Sequence, residues 1–152
     1  MFERFALATR VAVDDARYEA ARRGDRRVGT EHLLITLLEN DELAAAVGID
    51  AEAARTAAEQ LDRSALAAVG IELGEFAPGG RGRVGRFVPF TAGARQVMNG
   101  TLRHGVAEKA RSLTPRHMML ALLERDAPDP AAQLLAALAV DAVAARDRLQ
   151  AA

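Results

Sequence analysis

Three histidines and the carboxylates near them are the residues of this sequence whose chemistry could serve a metal site or proton transfer. Glu31 and His32 stand together in the stretch VGTEHLLITLLE, whereas His104 and His117 lie further along the chain. Such sites need several groups converging on one point, and neither H-E-x-x-H nor G-x-S-x-G occurs. We therefore predict no metal site and interpret the histidines as core or supporting residues that are hydrogen-bonded within the fold.

Phosphate-binding and thiol chemistry are also missing from the sequence. No G-x-x-x-x-G-K-[ST] motif occurs, and the glycine-rich stretch 79–86 has no lysine followed by serine or threonine to hold phosphate and magnesium. The chain has no cysteine, which excludes disulfides, thiolate metal sites and thiol nucleophiles. The prediction is a protein that is not an enzyme and that has no cofactor.

The composition is that of one ordinary folded domain. Of the 152 residues, 50% are hydrophobic, which is enough for a real core. The 20 basic and 21 acidic residues leave a net charge of −1, which argues against a surface built for nucleic acid. No apolar stretch reaches the roughly 18 residues that a membrane span requires, and no signal sequence opens the chain. These features predict a cytoplasmic protein with no membrane partner.

The spacing of apolar residues predicts four helices in the first half of the chain. Their expected bounds are Phe2–Arg23, ending near Gly24; a helix capped by Gly29 or Thr30 and running through Glu39; Glu42–Val47, ending at Gly48; and a helix capped by Asp50 and running to Leu61 or Leu66. A linker rich in glycine and proline, which cannot sustain a helix, is predicted at 67–89.

The pattern of the first half starts again after this linker. Subtracting 85 from the residue number places Phe90 on Phe5 and His117 on His32 without a gap. Further on, VGID matches LAVD with an offset of 91, so the second copy carries six more residues, which we place around RDAPDPAAQ. The sequence therefore consists of a tandem repeat.

The fold prediction follows from this repeat. We expect an all-α single domain of about eight helices over residues 1–152, formed by two tandem four-helix repeats related by a pseudo-two-fold axis. Repeat 1 is predicted at 1–66 and repeat 2 at 90–152.

Four short stretches, taken together, resemble a known family. They are the opening MFERF, the motif VGTEHLL, the second start FVPFTAGAR and the turns GID and AVD. In this order, and over essentially the whole chain, they resemble the double Clp N-terminal repeat of the ClpC-type Hsp100 unfoldases. Those unfoldases are ATPases, so the missing Walker motif implies either a stand-alone protein or the N-terminal domain of a larger unfoldase. The drift of the second copy from the motif favours the stand-alone form.

The resemblance implies a role for Glu31. In ClpC-type domains the acidic residue of the G-T-E-H motif resembles a receptor for arginine phosphorylated on its guanidinium, a mark on degradation substrates. A carboxylate can accept paired N–H bonds from a guanidinium, while N–H groups at the helix start meet the phosphate. The alternative is an acid that only favours the helix start. In the second copy Arg116 takes this position, so at most one such site is expected, and Arg116 is predicted to pair with an acid or to face an anionic partner.

The resemblance also implies a surface for peptides. The aromatic residues that open the two repeats, Phe2, Phe87 and Phe90, resemble the apolar patch at which these domains bind cyclic-peptide antibiotics and protein adaptors. Residues of the following long helix would complete the patch: Arg95, Asn99, Leu102 and Val106. Ring burial supplies affinity and polar groups supply orientation. The alternative for Phe90 is a core residue.

The function expected from these features is recognition within a Clp protease system. The partners would be substrates, adaptors or cyclomarin-type cyclic peptides, which the chain could sequester from the ClpC unfoldase. One alternative is a regulatory fragment of a full-length ATP-dependent unfoldase. Another is nucleic-acid binding through Arg81, Arg83 and Arg86 of the linker, although this segment has no aromatic platform and the chain has no net positive charge.

Overall fold

The computed structural model describes residues 2–70 and 88–152, apart from the side chain of Phe2. These two ranges contain eight α-helices and no β-strand, which confirms the predicted all-α fold. A 3₁₀ turn at Phe2–Arg4 precedes the first helix. The helices are α1 (Leu7–Arg22), α2 (Thr30–Leu37), α3 (Asp41–Val47), α4 (Ala51–Ala68), α5 (Ala92–Ala107), α6 (Pro115–Leu123), α7 (Pro130–Ala137) and α8 (Ala142–Ala151).

Short polar side chains determine where most of these helices begin. Five caps accept a hydrogen bond from a backbone N–H of the first turn: Asn40, Asp50, Thr91, Asp129 and Asp141. Such caps satisfy N–H groups that have no partner inside the helix. Gly48, with φ at 90°, ends α3 in the left-handed conformation that favours glycine. The Asp50 cap and the Gly48 stop are both as predicted.

The first helix is shorter than the predicted Phe2–Arg23. The chain leaves the helical conformation at Phe5, because its neighbours pair with the second repeat instead: Ala6 N donates to Leu113 O at 2.9 Å, and Leu113 N donates to Arg4 O at 2.8 Å. The Phe5 side chain is only 2% exposed. Apolar periodicity alone could not reveal a backbone partner that lies about 100 residues away.

A second backbone pair mirrors the first. Val28 N donates to Pro89 O at 2.8 Å, and Thr91 N donates to Val28 O at 2.9 Å. Each of these positions corresponds to one in the first pair through the offset of 85 that relates the two repeats. The start of each repeat is therefore tied to the segment before the second helix of the other repeat.

The core is built around α2 and α6, which contact each other and most of the other helices. Nearly every side chain of these two helices is buried, so neither has a polar face. Most of the largest fully buried side chains belong to them: Leu33, Leu34, Ile35, Leu37, Met118, Met119, Leu120 and Leu122. None of the described helices is long and apolar enough to cross a membrane.

The predicted insertion of the second copy and the predicted linker both concern connections between helices. Three of the six extra residues of the second copy lie between α6 and α7, which are separated by residues 124–129, whereas residues 38–40 separate α2 and α3. The other three lengthen α6, α7 and the α7–α8 connection by one residue each. The predicted linker 67–89 lies mostly outside the described residues, between the end of α4 at Ala68 and the point where the described chain resumes at Val88.

Gly100 lies inside α5 although glycine is a weak helix former. It is buried, and a Cβ atom at this position would lie 2.9 Å from the Cβ of Ala121 in α6. Close approach of α5 and α6 thus requires a residue without a side chain.

We expect Gly100→Val to lower the free energy of unfolding by about 2 kcal/mol, because the added methyl groups overpack the contact with α6. Asn99→Val is the matched control, since Asn99 is exposed on the same helix. Urea unfolding of both variants checks this. Equal stability of the two variants would show that α6 can move aside.

Candidate ligand-binding site

One exposed face of α5 carries the residues predicted to complete the peptide surface. Arg95, Asn99 and Val106 are exposed and Leu102 is half-buried against the core, and their spacing of three and four residues places them on one side of the helix. The side chains of Arg95 and Asn99 form no hydrogen bond or ion pair with the described residues. We call these four residues the α5 face.

The three aromatic residues predicted beside the α5 face differ in what the structure describes. Phe90 is half-buried against the core, and the guanidinium carbon of Arg17 lies 5.1 Å from its ring centroid. One side of the ring is therefore covered by a cation–π contact. Phe87 and the side chain of Phe2 lie outside the described residues.

Glu31 lies in the first turn of α2 with 21% of its side chain exposed. Its Oε2 atom is buried and has no hydrogen-bond partner among the described residues. A Cβ atom on Gly29 would lie 2.2 Å from this oxygen, so the glycine leaves room for the carboxylate to fold back over the helix start. An unpartnered carboxylate oxygen can accept N–H bonds from a ligand.

His32 stabilises the same helix start from inside. Its Nδ1 accepts a hydrogen bond from the backbone N–H of Gly29 at 2.8 Å, so the ring proton is on Nε2, which lies 2.7 Å from Oδ2 of Asp25. The ring is 1% exposed. This histidine performs the role that glutamate or glutamine has in a capping box.

Asp25, Glu31 and His32 are the one group within the described residues whose ligand atoms lie close enough to share a metal ion, within 4.8 Å of one another. Both ring nitrogens of His32 already have hydrogen-bond partners. The ring therefore has no free lone pair, and the donor set reduces to two carboxylates, which is a poor match to a zinc or copper site.

The second repeat has a different arrangement at the equivalent position. Arg116 hydrogen-bonds to Glu108 and to the backbone oxygen of Leu149, the latter at 3.3 Å. His117 again accepts from a backbone N–H, that of Thr114 at 2.9 Å, and its Nε2 lies 2.9 Å from Oε2 of Glu108. The prediction that Arg116 pairs with an acid is confirmed, and Thr114 and Pro115 start α6 as expected.

Glu108 therefore bridges an arginine and a histidine. The hydrogen bond from Arg116 lowers the pKa of Glu108; burial raises it by less, and His117 lowers it further. At this position the chain supplies both the guanidinium and the carboxylate, and a ligand guanidinium would meet a positive charge. The unpartnered carboxylate oxygen of Glu31 in the first repeat has no counterpart at this position among the described residues.

The third histidine also has a structural role. His104 lies 2.7 Å from Oε1 of Glu124, whose other oxygen accepts from Arg103 at 2.5 Å. Burial raises the pKa of Glu124, but the hydrogen bond of Arg103 and the charge of His104 outweigh it, so the pKa lies below its ordinary value. All three histidines are hydrogen-bonded within the fold, as predicted.

The start of α2 meets the starts of α5 and α7. Thr30 Oγ1 donates to Oδ1 of Asp129 at 2.7 Å, and the Thr30 methyl group lies 3.4 Å from the position of a Cβ on Gly93. Asp129 is 8% exposed and also accepts from Arg125 at 3.0 Å. Sequence reasoning did not identify Asp25, Glu108 or Asp129. Asp129 contacts Thr30 of the other repeat, whereas Asp25 and Glu108 contact the histidines of their own repeats across the turn before the helix, which apolar spacing does not encode.

The eight described helices form two repeats of four, and the crossed backbone pairs tie the repeats together. Among solved structures, the chain is similar to the N-terminal domain of the caseinolytic protease associated chaperone ClpD from Arabidopsis thaliana, with a TM-score of 0.74 and 20% sequence identity over 99% of this chain and 98% of that chain. No protein-family model matches the chain. The predicted Clp N-terminal fold is thus confirmed, and the likeness does not single out the ClpC type.

Proposed function

We propose that this chain is a non-catalytic, cytoplasmic module of a Clp protease system that recognises proteins and peptides. The fold supports a Clp N-terminal module, and the ClpC-like motifs of the sequence support the finer assignment. The division into repeat 1 at 1–66, a linker at 67–89 and repeat 2 at 90–152 belongs to this proposal. Its ligands are substrates, adaptors or cyclic-peptide antibiotics, which the chain binds on behalf of the unfoldase or withholds from it.

The α5 face carries this proposal. It presents an exposed apolar side chain, Val106, on the same side of one helix as Arg95 and Asn99, which have no partner within the described residues. An apolar surface beside unpaired polar groups suits a peptide, because burial of the apolar part supplies affinity and hydrogen bonds supply orientation. Phe90 adds a ring edge next to this helix, and Phe2 and Phe87 are proposed to extend the patch.

Calorimetric titration with a cyclomarin-type cyclic peptide tests the α5 face. We expect binding to the unaltered chain and about tenfold weaker binding to Val106→Ser, because a buried valine contributes on the order of 1.5 kcal/mol. Val143→Ser is the matched control: Val143 is 64% exposed on α8, outside the α5 face, and Val106 is 55% exposed. The face is not the peptide site if the cyclic peptide does not bind or if both variants bind it as the unaltered chain does.

A second part of the proposal concerns Glu31. Its free Oε2 can accept a guanidinium N–H, and the first-turn N–H groups of α2 lie beside it, where the positive end of the helix dipole favours a phosphate. We propose Glu31 as a receptor for phosphorylated arginine on degradation substrates. Arg116 makes the second repeat unsuited to this ligand.

A further inference from the structure

An open groove runs beside α1 on a part of the surface that the α5 face does not include. Leu7, Val11, Leu37 and Pro115 form its apolar walls, and the acidic side chains of Asp15 and Glu39 also line it; its volume is about 410 Å³. Leu7 is 77% exposed and Val11 is 48% exposed, and their spacing of four residues places these two side chains next to each other on one side of α1. We call this feature the α1 groove.

The pseudo-two-fold axis relates the α1 groove to a surface of repeat 2 that is filled by side chains of the chain itself. Gly93 and Gln96 there correspond to Ala8 and Val11. Oδ2 of Asp129 and Nη2 of Arg125 lie 3.1 and 3.6 Å from the position of a Cβ on Gly93, and Nη1 of Arg125 donates to Gln96 at 2.7 Å. The longer α6–α7 connection brings these two side chains into place.

No residue in the described ranges 2–70 and 88–152 occupies the α1 groove in this way. Only residues 38–40 connect α2 to α3, too short a segment to fold back over α1. The lining differs accordingly. Val11 and Leu7 of the α1 groove correspond to Gln96 and Ala92 in repeat 2, and Pro115 corresponds to Thr30, which carries a hydroxyl group. Polar residues of repeat 2 hold the ion pair of Arg125 and Asp129 against α5, whereas the apolar lining of the α1 groove is left uncovered by the part of the chain that the structure describes.

The charges around the α1 groove point to a cationic occupant. Its lining contains two acids and no basic residue. Glu39 is paired with Arg55, whereas Asp15 forms no hydrogen bond or ion pair with the described residues. In repeat 2 the side chain that fills the equivalent groove is itself basic, namely Arg125. An arginine or lysine of a partner could lay its aliphatic part on Val11 and direct its charge to Asp15.

We propose that the α1 groove is a second docking surface, and that it binds a peptide segment of another protein in which leucine-like side chains alternate with arginine or lysine. The apolar side chains pack on the exposed Leu7 and Val11, and a basic side chain pairs with Asp15. This surface is independent of the α5 face and of Glu31, so it stands or falls without the function proposed above.

Fluorescence anisotropy with three labelled peptides tests the proposal. The probe is Gly-Leu-Leu-Arg-Leu-Lys-Gly; one comparison peptide has glutamate in place of its basic residues, and the other has serine in place of its leucines. We expect the probe to bind at least about tenfold more tightly than either comparison, because it needs both apolar burial and the charge of Asp15. The proposal is overturned if no peptide binds, or if the acidic peptide binds as well as the probe.

Variants locate the peptide on the chain. Leu7→Ser and Val11→Ser are each expected to weaken probe binding about tenfold, and Val106→Ser is expected to leave it unchanged. Asp15→Asn should weaken binding and reduce its dependence on salt, whereas Asp14→Asn should do neither, since Asp14 lies outside the groove and pairs with Arg17. Equal effects of the two aspartate variants would remove Asp15 from the proposal.

A second copy of this chain is the competing occupant, and sedimentation equilibrium identifies it. If the chain is dimeric, if Leu7→Ser makes it monomeric, and if the probe does not bind, the groove is a self-association surface and the proposal is wrong. Far-UV circular dichroism of each variant confirms that the helices are intact, and two separate serine variants guard against a folding defect in one of them.

Discussion

Glu31→Ala is expected to weaken the binding of phosphoarginine by about 100-fold while leaving the chain folded. Charge-assisted hydrogen bonds of a carboxylate each contribute about 1.5–3 kcal/mol, and two N–H bonds from a guanidinium would be lost together. Folding should be spared, because Oε2 of Glu31 has no hydrogen-bond partner within the described residues and the helix start is held by His32 and Gly29. Calorimetry with free phosphoarginine and a thermal melt measure the two quantities.

The control for this variant is Glu42→Ala. Glu42 is also an acid in the first turn of a helix, α3, but it is exposed and lies elsewhere in the first repeat. It reports any general effect of removing a negative charge near a helix start, which amounts to about 0.3–1 kcal/mol of stability. If phosphoarginine binds the Glu31 variant and the control equally well, the carboxylate of Glu31 has only the helix-start role. If the unaltered chain does not bind it at all, the phosphoarginine proposal is wrong, and the α5 face is still open to its own test.

Asp129→Ala is expected to lower the free energy of unfolding by about 3 kcal/mol. Asp129 caps α7 by accepting from Ala131 N at 2.9 Å, accepts from the hydroxyl of Thr30 at 2.7 Å and pairs with Arg125 at 3.0 Å. Its removal deletes a helix cap and leaves the arginine without its carboxylate at a largely buried junction of the repeats. Urea unfolding at neutral pH measures the loss.

Asp141→Ala provides the matched control for the cap. Asp141 accepts from Ala144 N at 3.0 Å at the start of α8, but it is exposed, and its carboxylate forms no hydrogen bond or ion pair with the described residues of the other repeat. We expect this variant to lose only about 1 kcal/mol, the ordinary contribution of an N-cap. Equal losses in both variants would mean that Asp129 acts as a cap alone and that the junction with Thr30 contributes nothing.

The candidate site was predicted from the sequence in part. Glu31 and the α5 positions could be named because the resemblance to the Clp N-terminal repeat implies them, and the structure describes Arg95, Asn99 and Val106 as exposed on one face. The partner of Arg116 could be predicted only as some acid. The offset of 85 pairs Glu108 with Arg23 and not with Asp25, so the repeat itself gives no indication of which acid contacts the second histidine.

The sequence by itself determined the helices, their caps and their duplication, since apolar spacing and capping residues act within a few positions along the chain. Only the tertiary structure decided which segments, distant along the chain, contact each other. The break at Phe5 follows from pairing with Leu113, and the closed groove of repeat 2 follows from Arg125 and Asp129 folding onto α5. No described residue fills the α1 groove, whose repeat lacks that longer connection. These features depend on contacts between residues far apart in the sequence, which local patterns do not encode.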